Sequence, residues 1–104
     1  MASEIERMIS LLEERTDEYR KLAVDAANYE VAHKRAYAIA LLRAEGTVSE
    51  REAEATLKAG DELHLRRSAE ATRDACLEMM RSLRAQLSAL QTLARMEYDQ
   101  TSSP

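Results

Sequence analysis

The sequence predicts an all-α protein: an antiparallel hairpin of two long helices, about 4–44 and 48–98, coiled-coil-like and assembling into a helical oligomer. Three observations predict it. Ala, Leu, Glu and Arg dominate a chain of 104 residues that holds only two Gly and one Pro, the last at its very end. These side chains lose little freedom in a helix. Apolar residues recur at steps of three and four, and a single break with a capping signal divides the chain near its middle.

The first helix begins at Ser3-Glu4-Ile5-Glu6, which reads as a capping box: the Ser3 hydroxyl accepts from the N–H three residues on, and Glu6 reaches back. From there Ile5, Met8, Ile9, Leu12, Tyr19, Leu22, Ala26, Tyr29, Ala36, Tyr37, Ala40 and Ala44 share one face. Nothing interrupts the pattern until Gly46, which suits a left-handed residue just past a helix end. A helix of about 41 residues spans roughly 60 Å.

The second helix opens on another capping box, Thr47-Val48-Ser49-Glu50. Its clearest seam is Cys76, Met80, Leu83, Leu87, Leu90 and Ala94, alternating by four and three as a coiled-coil core does. Upstream the seam thins through Ala55, Ala59, Leu65 and Ala69, with Gly60-Asp61 the place for a bend. A turn of two or three residues makes the helices antiparallel and brings Ile5 near Ser88, Leu12 near Arg81, Tyr29 near His64 and His33 near Gly60. Residues 1–98 thus form one helical-hairpin domain, and 99–104 a polar, disordered tail. A two-helix domain of this size buries little surface per residue, so self-association is expected.

The net charge of −4 argues against a uniformly basic nucleic-acid binder, but the charge is blocked along the chain. Residues 4–18 carry −4, 19–44 carry +3, 45–62 carry −4 and 63–95 carry +3. Cys76 is the only cysteine, which excludes an intrachain disulfide. No secretory signal follows Met1, and no stretch approaches the ~20 apolar residues of a membrane span, so no membrane partner and a cytoplasmic location are expected.

Two constellations are candidates for chemistry. Arg20, Lys21, Arg66, Arg67 and Arg73 fall midway along the hairpin, with Lys34 and Arg35 a turn or two away. Tyr19, Tyr29 and Tyr37 occur in the same region, and cations interleaved with aromatic rings suit single-stranded nucleic acid. The plainer reading makes the tyrosines core and the cations a solvated or helix-pairing face. The second constellation is a pair of carboxylate-x-x-His steps, Glu30/His33 and Asp61/His64, each able to offer an oxygen and a nitrogen to one metal. Four-helix metal sites need further carboxylates, here from another subunit; ordinary surface residues are the alternative. Cys76, Met79 and Met80 read as core filler. With no Gly-rich phosphate loop, zinc spacing or activated nucleophile in the sequence, the expectation is a protein that is not an enzyme and uses no cofactor.

The stretch Tyr29–Ala44, then Gly46-Thr47-Val48-Ser49-Glu50-Arg51-Glu52-Ala53, then Leu83–Glu97 with its Leu-Arg-x-x-Leu-x-x-Leu ending, resembles small phage-encoded helical proteins of the UvsY-like recombination-mediator type. That resemblance implies a ring oligomer that binds single-stranded DNA and helps load a recombinase, located in the host-cell cytoplasm. It carries phosphate contacts over to Lys34, Arg35 and Arg43. The expected function is therefore binding of single-stranded DNA or a recombination protein. The alternatives are a structural adaptor acting through protein contacts, or a metal-binding four-helix dimer.

Overall fold

A computed structural model of the chain describes residues 2–102. They form three helices, α1 (Ala2–Arg43), α2 (Val48–Lys58) and α3 (Gly60–Ser102), with no strand among the described residues. No described helix is long and apolar enough to cross a membrane. The all-α expectation holds, and three of its details change.

The expected single second helix, 48–98, is two helices separated by Ala59. Ala59 has φ −92° and ψ 11°, in the bridge region beside the helical well. Its N–H still donates to the Ala55 carbonyl at 3.0 Å, and its own carbonyl accepts from Leu63 N–H at 3.0 Å. The helical ladder is bent there without being lost. Gly60 opens α3, and a Cβ placed on it would meet nothing within 4 Å, so the bend sits one residue before the expected Gly60-Asp61 step and needs no glycine for space.

The capping box at Ser3 does not form. An N-cap residue must leave the helical region, and α1 is already helical at Ala2. At the other end, the polar segment expected to be disordered after Tyr98 is helical as far as Ser102; 103–104 lie outside the described residues.

The break after α1 behaves as its residues dictate. Gly46 takes φ +113°, where an L side chain is strained. Thr47 caps α2, its hydroxyl accepting from Glu50 N–H at 3.2 Å. Ala44 N–H donates to the Ala40 carbonyl at 3.0 Å, and Arg51 of α2 donates through Nη2 to the Leu41 carbonyl at 3.2 Å. A side chain from the next helix thus satisfies one of the carbonyls that α1 leaves open at its end.

Two compact units divide the chain: Met1–Arg20 with Ala75–Pro104, and Lys21–Asp74. In the first, Cys76, Met80 and Leu83 of α3 are buried, and Leu87, Leu90 and Ala94 continue their four-three alternation half-buried. Ile5, Met8, Leu11 and Leu12 of α1 are half-buried in the same unit. In the second unit every buried residue is alanine: Ala26 and Ala40 of α1, Ala44, Ala55 of α2, and Ala59. Leu65, expected on the seam, is exposed.

Candidate nucleic-acid interface

The unit Lys21–Asp74 holds an open groove of about 550 Å³. His33, Lys34 and Tyr37 of α1 line it, with Thr56 of α2 and Leu63, Arg66, Arg67 and Glu70 of α3. Helical spacing explains the set. His33 and Tyr37 are four apart on α1; Leu63, Arg66, Arg67 and Glu70 step by three, one and three along α3.

Arg66 organises the polar part. Its Nε lies 3.2 Å from Glu70 Oε1, its Nη2 3.6 Å from Glu30 Oε1, and its Nη1 donates to His33 Nδ1 at 3.2 Å. A guanidinium only donates, so His33 accepts through Nδ1 and carries its ring N–H on Nε2. Lys34 Nζ reaches Glu30 Oε1 at 3.0 Å. The hydrogen bond and charge of Lys34, then the charge of Arg66, hold the Glu30 carboxyl below its ordinary value of 4.5, against an opposing effect of burial and with a still smaller push from Arg73.

Arg66 is therefore a held cation, clamped by two carboxylates. Arg67 is exposed and has no ion pair among the described residues, and Lys34 is exposed with a single carboxylate partner. Chemically the groove offers two accessible positive ends, a fixed guanidinium and the half-buried ring of Tyr37. That set suits an anion carried on a flat group. The Cys76 thiol lies in the other unit, buried, where Sγ donates to the Arg15 carbonyl at 3.5 Å.

The remaining sequence candidates are not gathered into this groove. Arg20 belongs to the other unit and pairs with Asp17 at 3.3 Å. Lys21, Arg35 and Arg43 are exposed on α1 away from the groove. Arg73 is half-buried, 3.0 Å from Asp74. Of the tyrosines, Tyr37 alone lines the cationic groove; Tyr29 lines a separate one with Leu22, Asp25, Leu65 and Ser68, which holds no cation. Glu30 and His33 are both taken by Arg66, Asp61 and His64 are exposed, and no group of three or more metal-ligating side chains occurs among the described residues. His33 meets Arg66 instead of Gly60.

Sequence reasoning missed Thr56, Leu63 and Glu70 as groove residues. Arg66 and Glu70 stand at i, i+4, a pairing that could have been noticed. Compared with protein families, curated proteins and solved structures, the chain matches none.

Proposed function

We propose that this chain is a non-enzymatic helical protein that binds single-stranded DNA as an oligomer, in the manner of the UvsY-like mediators it resembles, with a recombinase as a further partner. The observation that carries the reading is the gathering of Lys34, Arg66 and Arg67 around Tyr37 in one open groove. Lys34 and Arg67 contact phosphate oxygens; a phosphate competes with Glu30 for the Lys34 ammonium. Arg66, held by Glu30 and Glu70, keeps the groove's polar wall in place. Tyr37 offers a ring edge or face to an unpaired base, an interaction that tolerates any sequence.

The hairpin part of the reading is supported by three contacts: Glu30 and His33 with Arg66, Leu41 with Arg51, and Arg15 with Cys76. As the number rises on α1 it falls on the later helices, which is the order of an antiparallel coiled-coil-like pair.

Fluorescence anisotropy with a labelled oligothymidine, repeated over a salt series, tests the site. Binding weakens steeply with salt, because each neutralised phosphate releases counterions. The double change Lys34→Gln with Arg67→Gln lowers the slope of log affinity against log salt by about 1.4, roughly 0.7 for each single-strand contact. An unchanged slope in that variant removes the groove from the interface. No binding by the assembled wild-type protein at about 50 mM salt removes the DNA reading altogether.

A further inference from the structure

The helix α1 carries a second apolar face that its own chain leaves uncovered. Val24, Val31 and Leu42 are 59%, 65% and 81% exposed, and all three belong to the unit Lys21–Asp74. At about 100° per residue they fall within roughly 20° of one line along the helix, on the side opposite buried Ala26 and Ala40. Completing the line gives Val24, Asn28, Val31, Arg35, Ala38 and Leu42, steps of four and three, the spacing of a seam that packs on another helix.

We infer that this face is the seam on which two copies of the chain pair, α1 against α1, antiparallel. The inference deepens the oligomer part of the proposed function and rests on it, but uses nothing of the DNA groove. Two arguments choose a second copy and this orientation. The first is area. The chain exposes 7734 Å², whereas a folded monomer of this mass exposes about 5,900 Å². The surplus, about 1,800 Å², exceeds the ~800 Å² that each partner of a stable complex covers.

The second argument is charge. A parallel pair would set Arg35 against the partner's Arg35 and Asn28 against the partner's Asn28. In the antiparallel register Val24 faces the partner's Leu42, Asn28 faces the partner's Ala38, and Val31 faces the partner's Arg35. Each polar residue then meets an apolar or small one, along whose surface its stem packs while its head reaches water. Lys21 comes level with the partner's Glu45, just past the end of the partner's α1 at Arg43. A two-fold axis satisfies every one of these contacts twice.

Two measurements test the seam without nucleic acid. In light scattering, the wild-type mass is at least twice 11.7 kDa. Changing Val31→Asp and Leu42→Asp, both exposed positions, cuts that mass to half or less while far-UV circular dichroism keeps its helical signal. In a Cys76→Ala background, a chain carrying both Val24→Cys and Leu42→Cys oxidises to a covalent dimer, whereas each single cysteine does not. A monomeric wild type, an unchanged mass in the aspartate variant, or no dimer from the double cysteine overturns the proposal; so does cross-linking by a single cysteine, which demands a parallel pair. A chain that pairs in this way yet ignores oligonucleotide refutes the DNA reading and leaves the seam standing.

Discussion

The two units of this protein solve the same packing problem with different side chains. Met1–Arg20 with Ala75–Pro104 buries Cys76, Met80 and Leu83, and between its helices the Cys76 thiol donates a weak hydrogen bond to the Arg15 carbonyl. Lys21–Asp74 buries only alanines and surrounds them with directed contacts: Arg66 to Glu30, His33 and Glu70, and Arg51 to the Leu41 carbonyl. Large flexible side chains draw their stabilisation from apolar area, about 25 cal/mol per Å². Alanine supplies little area, so close backbones and charge-assisted hydrogen bonds must specify that unit. The groove with its cations and the second apolar face of α1 both lie where the core is thin.

The sharpest way to break this comparison is to exchange the two strategies. Leu83→Ala removes a buried side chain from the unit that depends on size, and urea unfolding followed by circular dichroism should show a loss of about 2–3 kcal/mol. A loss below about 1 kcal/mol would mean that Leu83 is not a core residue in solution. The opposite substitution tests the other unit. Ala55 is 0% exposed, so Ala55→Leu forces a larger side chain into close-packed backbone and should cost about 1–3 kcal/mol. If Ala55→Leu instead stabilises the protein, the alanine core is loose and the contrast fails.

A smaller effect sharpens the account of the bend. With open space around Gly60 and no positive φ, Gly60→Ala should raise stability by up to about 1 kcal/mol in the same unfolding experiment. Destabilisation there would show that the bend at Ala59 needs its glycine neighbour after all. The smallest expected effect is on the Glu30 cluster. Its carboxyl is held below 4.5 when folded, so its contribution is complete above that value and is lost as pH falls through the lower folded value. Wild type should therefore lose slightly more stability than Glu30→Gln between about pH 5 and pH 3. Parallel pH profiles for the two would show that the cluster is only loosely held.

Much of this was readable from the chain. Gly46 and Thr47 announce the end of α1 and the start of α2 by local chemistry alone, because a positive φ and an N-cap hydroxyl depend on neighbours a few residues away. The six-residue alternation from Cys76 to Ala94 is equally local, and all six positions are buried or half-buried. The failures have a common cause. Ser3 looked like a cap since its pattern is right, but whether a helix starts before or after a serine is settled by what the preceding residue does. Leu65 is apolar, yet it stands six residues past Ala59, off the three-four spacing of the buried alanines, and it is exposed beside Tyr29.

The candidate site divides in the same way. Lys34, Arg66 and Arg67 are legible in the sequence as cations of the basic blocks 19–44 and 63–95. Which of them share a groove, and that Arg66 is clamped while Arg67 is not, depends on contacts between residues more than thirty positions apart. By itself the sequence determined helix content, the break at Gly46-Thr47 and the four-three seam, because those rest on propensity, capping and periodicity within one or two turns. Only the tertiary structure decided the bend at Ala59, the register that sets His33 against Arg66, and which apolar residues stay outside. A helix has several faces, and which of them is covered is a property of its neighbours.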